Sequence, residues 1–139
     1  MKVLFVCSGN SYRSPVAEAL LRMYAPAGVW VDSAGTSPIS SVSDSAKEFL
    51  QRENASKYLK KIPEGLETKQ LRDYDVIVAM ELKHKFSILR RCPECSSRIE
   101  VWNIDDPYDT STEYEDEVYQ QIKTKVKEMA ERLTKSNAQ

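Results

Sequence analysis

Cys7-Ser8-Gly9-Asn10-Ser11-Tyr12-Arg13-Ser14 joins a thiol to an arginine through five small or polar residues. Between a strand and a helix, such a loop turns successive backbone N–H groups inward, and the helix N-terminus adds partial positive charge. That cradle suits a tetrahedral oxyanion, so Ser8, Gly9, Asn10, Ser11, Tyr12, Arg13 and Ser14 form the candidate phosphate-binding set. Arg13 brings a planar fork that can grip two oxygens, which Lys could not reproduce. Gly9 allows the close approach of backbone that the loop requires. Cys7 lies at the base, where a helix end and a cation favour the nucleophilic thiolate form. Ser14 can donate its hydroxyl to the sulfur, and Asn10 can tie the loop together. The bland reading is a small apolar residue ending a strand, followed by a glycine turn. Gly9, Asn10, Ser14 and Pro15 together favour the chemical one.

Asp105-Asp106-Pro107-Tyr108 offers a carboxylic acid in a loop stiffened by proline, the group needed to protonate a leaving alkoxide or phenoxide. Alone, Asp-Pro would merely begin a turn. Seven of the thirteen residues from Asp105 to Glu117 are acidic, which reads first as charge suited to a helix N-terminus and a solvated face. Cys92-Pro93-Glu94-Cys95 reads as two reduced loop thiols, with a redox pair as the alternative; half a zinc site would need a second chain. His84, in Lys83-His84-Lys85, reads as a solvated residue on a helix surface. One His in the chain excludes multi-His metal sites and leaves little for a Ser-His-Asp or Cys-His device.

The elements that must position these groups follow from length and pattern. The chain has 139 residues and a net charge of −1, enough for one domain spanning 1–139. It lacks the basic excess of a nucleic-acid or anionic-membrane binder, and no apolar run approaches a membrane span. The N-terminus resembles no signal peptide, so a soluble cytoplasmic protein with reduced thiols is expected. Val3 to Cys7 reads as a buried strand. Ser14 is expected to cap the following helix, with Pro15 at its first position. Val29–Val31, Asp73–Met80 and Ile99–Trp102 read as further strands. Helices are expected from Ser43 or Asp44 to Asn54, Glu81 to Leu89 and Thr112 to Leu133, with Ser136 to Gln139 frayed. Strands alternating with helices give an α/β domain with a mostly parallel sheet, whose ligands bind beyond the carboxyl ends of the strands. The Cys7 and Asp106 loops should meet there.

The run VLFVCSGNSYRSPVAEALL resembles the N-terminus of the low-molecular-weight protein tyrosine phosphatases, whose loop is Cys-x5-Arg-Ser/Thr. VDSAGT (Val31 to Thr36), DYDVIVAM (Asp73 to Met80) and DDPYD (Asp105 to Asp109) fall in the family's order and spacing. The resemblance implies a four-stranded parallel sheet flanked by helices on both faces. It implies hydrolysis of phosphotyrosine or a small aryl phosphate without metal or other cofactor. Cys7 would be the nucleophile, Arg13 the oxyanion clamp and Asp106 the general acid, with Tyr108 and Tyr12 along the substrate slot. Two departures stand out. Tyr12 replaces the second loop Cys of many members, and Ser37 to Val42 lacks the family's aromatic wall residue. The rivals are a thioredoxin-coupled arsenate reductase of the same fold, which needs two further thiols, and a silent phosphate-binding module, which would need no Asp106.

Overall fold

The computed structural model describes residues 1–137. Four strands, β1 (Lys2–Cys7), β2 (Trp30–Gly35), β3 (Val76–Ala79) and β4 (Ile99–Val101), form one parallel sheet in the order β2-β1-β3-β4. Four helices connect and follow them: α1 (Arg13–Tyr24), α2 (Asp44–Arg52), α3 (Leu82–Arg91) and α4 (Thr112–Asn137). The alternation of β1 side chains explains the layering. Val3, Phe5 and Cys7 face a core built with α1, α2 and α4, whereas Leu4 and Val6 face a second core shared with α3. Helices therefore cover both faces, as expected. Phe5 packs edge-on against Trp102 with ring centroids 5.3 Å apart, a contact that adds about 1 kcal/mol to simple burial.

Three local departures follow from hydrogen bonding. The third strand is shorter than Asp73–Met80, because Leu71–Asp73 closes a 3₁₀ turn before it. Helix α1 begins at Arg13, so Ser14 is its second residue and caps nothing. Pro15 still falls in the first turn, where its missing N–H has no intrahelical partner to lose. Helix α4, whose buried face is Val118, Ile122, Val126, Met129 and Leu133, continues to Asn137. Ser136 is therefore helical rather than frayed; Ala138 and Gln139 lie outside the described residues. Among the described residues no helix is long and apolar enough to cross a membrane.

From β1 the chain passes to β2 on one side, then crosses back to β3 on the other. This topological switch point opens a crevice at the carboxyl ends of β1 and β3. The Cys7 loop follows β1 and Glu81 follows β3.

Candidate active site

The loop after Cys7 is held from behind by buried polar groups. Asn10 adopts a left-handed backbone, φ 53°, which Asn tolerates better than most residues. Its amide secures that conformation on both ends. Nδ2 donates to Ser14 Oγ at 2.8 Å and Ser33 Oγ at 2.9 Å. Oδ1 accepts from Lys60 Nζ at 2.7 Å and the Glu64 N–H at 2.8 Å. The positive φ thus lies at Asn10, whereas Gly9 has no such requirement. Gly35, at the end of β2, is the glycine that sterics demand: a Cβ there would meet Ser8 O at 2.5 Å and Asn10 N at 2.9 Å.

Ser14 Oγ lies 2.9 Å from Cys7 Sγ. Because that oxygen already accepts from Asn10, its own proton is free for the sulfur. Ser33 in turn donates to Glu18 Oε1 at 2.5 Å, and Glu18 is 1% exposed. Burial pushes the Glu18 carboxyl above its ordinary range; the Ser33 hydrogen bond, Arg22 and Lys60 offset part of that shift. Lys60 is buried among these acceptors, also reaching Ser33 O at 2.9 Å and Glu64 at 2.9 Å. Ser33 and Glu18 fall inside sequence runs already singled out, though without a role of their own there, and Lys60 belongs to no motif visible in the sequence. Lys60 joins Ser33 of β2 and Glu18 of α1 because the loop before β3 folds under the Cys7 turn.

Arg13 is 1% exposed. Its Nη1 donates to Glu81 Oε2 and to the Ile104 carbonyl, each at 2.7 Å, and Nη2 lies 3.7 Å from Asp106 Oδ2. One end of the fork is anchored, and the other faces the cavity. His84 corrects the expectation of a solvated residue: it is 1% exposed. Helix α3 starts one residue later than expected, making Glu81 its N-cap and His84 its third residue. The imidazole therefore folds back over the helix start. Nδ1 accepts the Glu81 N–H at 3.0 Å, and Nε2 lies 2.9 Å from Ser8 Oγ. Burial first, then the charge of Arg13, pushes its pKa down to about 4.

These groups floor a cavity of about 370 Å³. Cys7, Ser8, Gly9, Ser11 and Arg13 form the base. Tyr12, Ser37, Ile39, Asp106 and Tyr108 form the rim. Asn10 and Ser14, expected among the phosphate ligands, turn their side chains away behind the loop. Tyr12 and Tyr108 stand edge to face, 6.2 Å between centroids. Ile39 occupies the wall for which the sequence offered no aromatic residue. Asp106 Oδ1 accepts the Tyr108 N–H at 3.0 Å, while Asp105 turns aside to accept from the Tyr114 hydroxyl at 2.7 Å.

Relatives place this geometry. The model of the low molecular weight phosphotyrosine protein phosphatase family matches residues 2–139. The chain belongs to that family. It is accordingly a phosphatase, a hydrolase. The low molecular weight protein-tyrosine-phosphatase Etp of Escherichia coli K12 is 30% identical, the match covering 96% of this chain and 95% of that one. The tyrosine phosphatase Wzb of Escherichia coli K30, solved with sulphate, shares the fold at a TM-score of 0.83 and 29% identity, covering 95% of this chain and 97% of its own. The YwlE arginine phosphatase of Geobacillus stearothermophilus does so at 0.89 and 27%, covering 99% and 95%.

Cys92 and Cys95 are joined as a disulfide, with Cα atoms 5.4 Å apart, rather than standing as two reduced thiols. The helical turn from Pro93 brings their side chains together, within the ordinary reach of such a bond. They sit between the end of α3 and the start of β4, at the amino edge of the sheet. Cys7 lies at its carboxyl edge.

Proposed function

We propose that this phosphatase, residues 1–139 as one domain, hydrolyses phosphotyrosine on a protein or as a small aryl phosphate, without metal and through a cysteinyl-phosphate intermediate. The observation that carries the reading is Cys7 Sγ at the base of one cavity, 2.9 Å from Ser14 Oγ, with Arg13 beside it and Asp106 on its rim. Cys7 thiolate attacks phosphorus in line, forming an S–P bond as the bond to the phenolic oxygen breaks. Asp106 gives its proton to that oxygen. The free end of Arg13 and the loop N–H groups stabilise the equatorial oxygens. Water then attacks the thiophosphate and passes a proton to Asp106, and the S–P bond breaks to release inorganic phosphate. Ser14 donates its hydrogen bond to the departing thiolate.

Hydrolysis of p-nitrophenyl phosphate in the presence of a chelator tests this. The wild type should turn over and Cys7→Ser should not. An inactive wild type, or an equally active Cys7→Ser, would overturn the reading. The position of the Cys92–Cys95 disulfide counts against an arsenate reductase relay, since it lies at the opposite edge of the sheet from Cys7. A silent binding module would have no use for Asp106 on the rim.

A second reading concerns the leaving group. Tyr12, on the wall, has its hydroxyl pushed above its ordinary pKa by burial first, then by the charges of Glu115, Tyr108, Asp106 and Asp109. The carboxylates of Glu115, Asp106 and Asp109 make the mouth anionic, which suits the guanidinium of phosphoarginine better than a neutral aryl ring. The fold likeness to an arginine phosphatase points the same way. Comparing kcat/KM on matched phosphotyrosine and phosphoarginine peptides separates the two: a higher value on phosphoarginine would replace the aryl reading.

A further inference from the structure

We propose that His84 is a positioning residue of the phosphate cradle, a neutral imidazole that fixes Ser8 with one nitrogen and, through Glu81, Arg13 with the other. The inference rests on the phosphatase reading of the site and adds a residue to it.

The argument starts from hydrogen-bond direction. The Glu81 N–H can only donate, so the ring atom that receives it, Nδ1, carries no proton. The single proton of the neutral ring is then on Nε2, which donates to Ser8 Oγ. One bond reaches a residue that lines the anion site, the other a residue that holds Arg13. Ser8 is the residue after the nucleophile and lines the cavity. Glu81 holds Arg13 Nη1 at 2.7 Å, and its backbone is fixed at the N-cap of α3 by the imidazole itself. A side chain 1% exposed has few ways to relax, so both positions are set together. A cation in this place would lose the Nδ1 acceptor and add charge beside Arg13. The pKa of about 4 agrees with a ring that stays neutral wherever the enzyme works. The role differs from that of a general base: no nitrogen of His84 is directed at Cys7 or at the leaving group.

Because the chain has one histidine, its imidazole nitrogens are assignable in the wild-type protein by long-range proton–nitrogen NMR. The expected spectrum is the Nε2–H tautomer at pH 7, with no titration between about pH 5 and 8. The opposite tautomer, or titration near the ordinary value, would overturn the proposal.

Binding of inorganic phosphate, measured by calorimetry, provides the second readout and needs no turnover. His84→Ala should weaken it about tenfold, or ~1.4 kcal/mol. The KM for p-nitrophenyl phosphate should rise by a similar factor, with kcat changed less. His84→Asn places an amide oxygen where Nδ1 was and should recover most of the loss. In a Ser8→Ala background the cost of His84→Ala should shrink, since one of its two contacts is already gone. Unchanged phosphate binding in a folded His84→Ala protein, or full additivity with Ser8→Ala, would overturn the proposal while leaving the phosphatase reading intact. A wild type that neither binds phosphate nor turns over would instead remove the reading beneath it.

Discussion

The base of the cavity and its rim are built on opposite principles. Cys7 and Arg13 in the base, and Asn10, Ser14, Ser33 and His84 that support it from behind, are all exposed by 2% or less, and among the described residues no buried side-chain nitrogen or oxygen lacks a partner. On the rim, Tyr108 is 67% exposed and Ile39 51%, and apart from packing little holds either ring or chain. Buried, fully partnered polar networks have one arrangement, because every alternative strands a donor or acceptor in low dielectric. An exposed apolar wall has many arrangements of nearly equal energy. On the proposed reading the contrast divides the labour: the base fixes the chemistry on phosphorus, and the rim is free to choose what carries the phosphoryl group.

Asp106 is the rim residue that should break this division, and its substitution should have the largest effect. Its carboxylate reaches toward Arg13 yet is assigned to protonating the leaving group. Asp106→Asn should slow phenyl phosphate, a poor leaving group, by about 10²- to 10³-fold, and activated aryl phosphates much less. A plot of kcat against leaving-group pKa checks this. A uniform loss across the series would move the acid elsewhere.

Disturbing the base from behind should come next. Lys60→Met removes the cation that ties Asn10, Ser33 and Glu64 together and leaves buried acceptors unmatched. Chemical denaturation should show a loss of about 3 kcal/mol. Activity should fall by up to about 10²-fold through displacement of the loop. Gly35→Ala should displace the same loop from the other side, since the new Cβ would overlap Ser8 O. If either variant kept full activity while losing stability, the base would be less tightly coupled to the chemistry than its hydrogen bonds imply.

What could be read from the sequence follows the same boundary. Cys7, Arg13 and Asp106 belong to short runs next to strand ends, so their types and spacing were informative. The parallel sheet was equally legible, because apolar runs alternating with amphipathic segments allow few other folds. Ser33 and Glu18 lie within runs that the sequence singled out, but Lys60 reaches the site from a loop of no fixed pattern, and no local spacing relates it to Cys7. His84 was misread for a simpler reason. A one-residue shift in the start of α3 turns Glu81 from a helical residue into a cap, and carries His84 from an assumed surface into the crevice. Ser14 shows the converse: a good capping residue by type, it leaves the helix uncapped because its hydroxyl is committed to Asn10 and Cys7.

Acid should reveal the base more gently than mutation. His84 has a folded pKa of about 4 against an ordinary 6.5, so between these values the unfolded chain binds more protons and stability falls as pH falls. Glu18, whose carboxyl is raised, works in the opposite direction, gaining as pH falls toward its ordinary range. The charges acting on His84 are Arg13, Glu81, Lys83 and Asp106. Comparing the wild type with His84→Asn cancels Glu18 and leaves the imidazole. Their difference in unfolding free energy should shrink by about 2 kcal/mol between pH 7 and 4.5, allowing for screening by the partly solvated Ser8 and Glu81. A constant difference would mean that the imidazole takes up its proton at the same pH folded as unfolded.

The smallest effects belong to the exposed wall. Tyr108→Ala and Ile39→Ala each remove apolar surface that an aromatic ring would cover, and neither touches a group holding phosphate. Each should raise KM for aryl phosphates severalfold, the ~1 kcal/mol expected from losing one partly buried contact, with kcat nearly unchanged. Binding of inorganic phosphate should not move, because that ligand ends at the base. The double variant should sum the two losses if the walls act independently, since they belong to different loops. A fall in kcat would show that the rim aligns the phosphoryl group as well as admitting it. Base and rim would then be one device, and the freedom of the wall to vary its substrate would be correspondingly smaller.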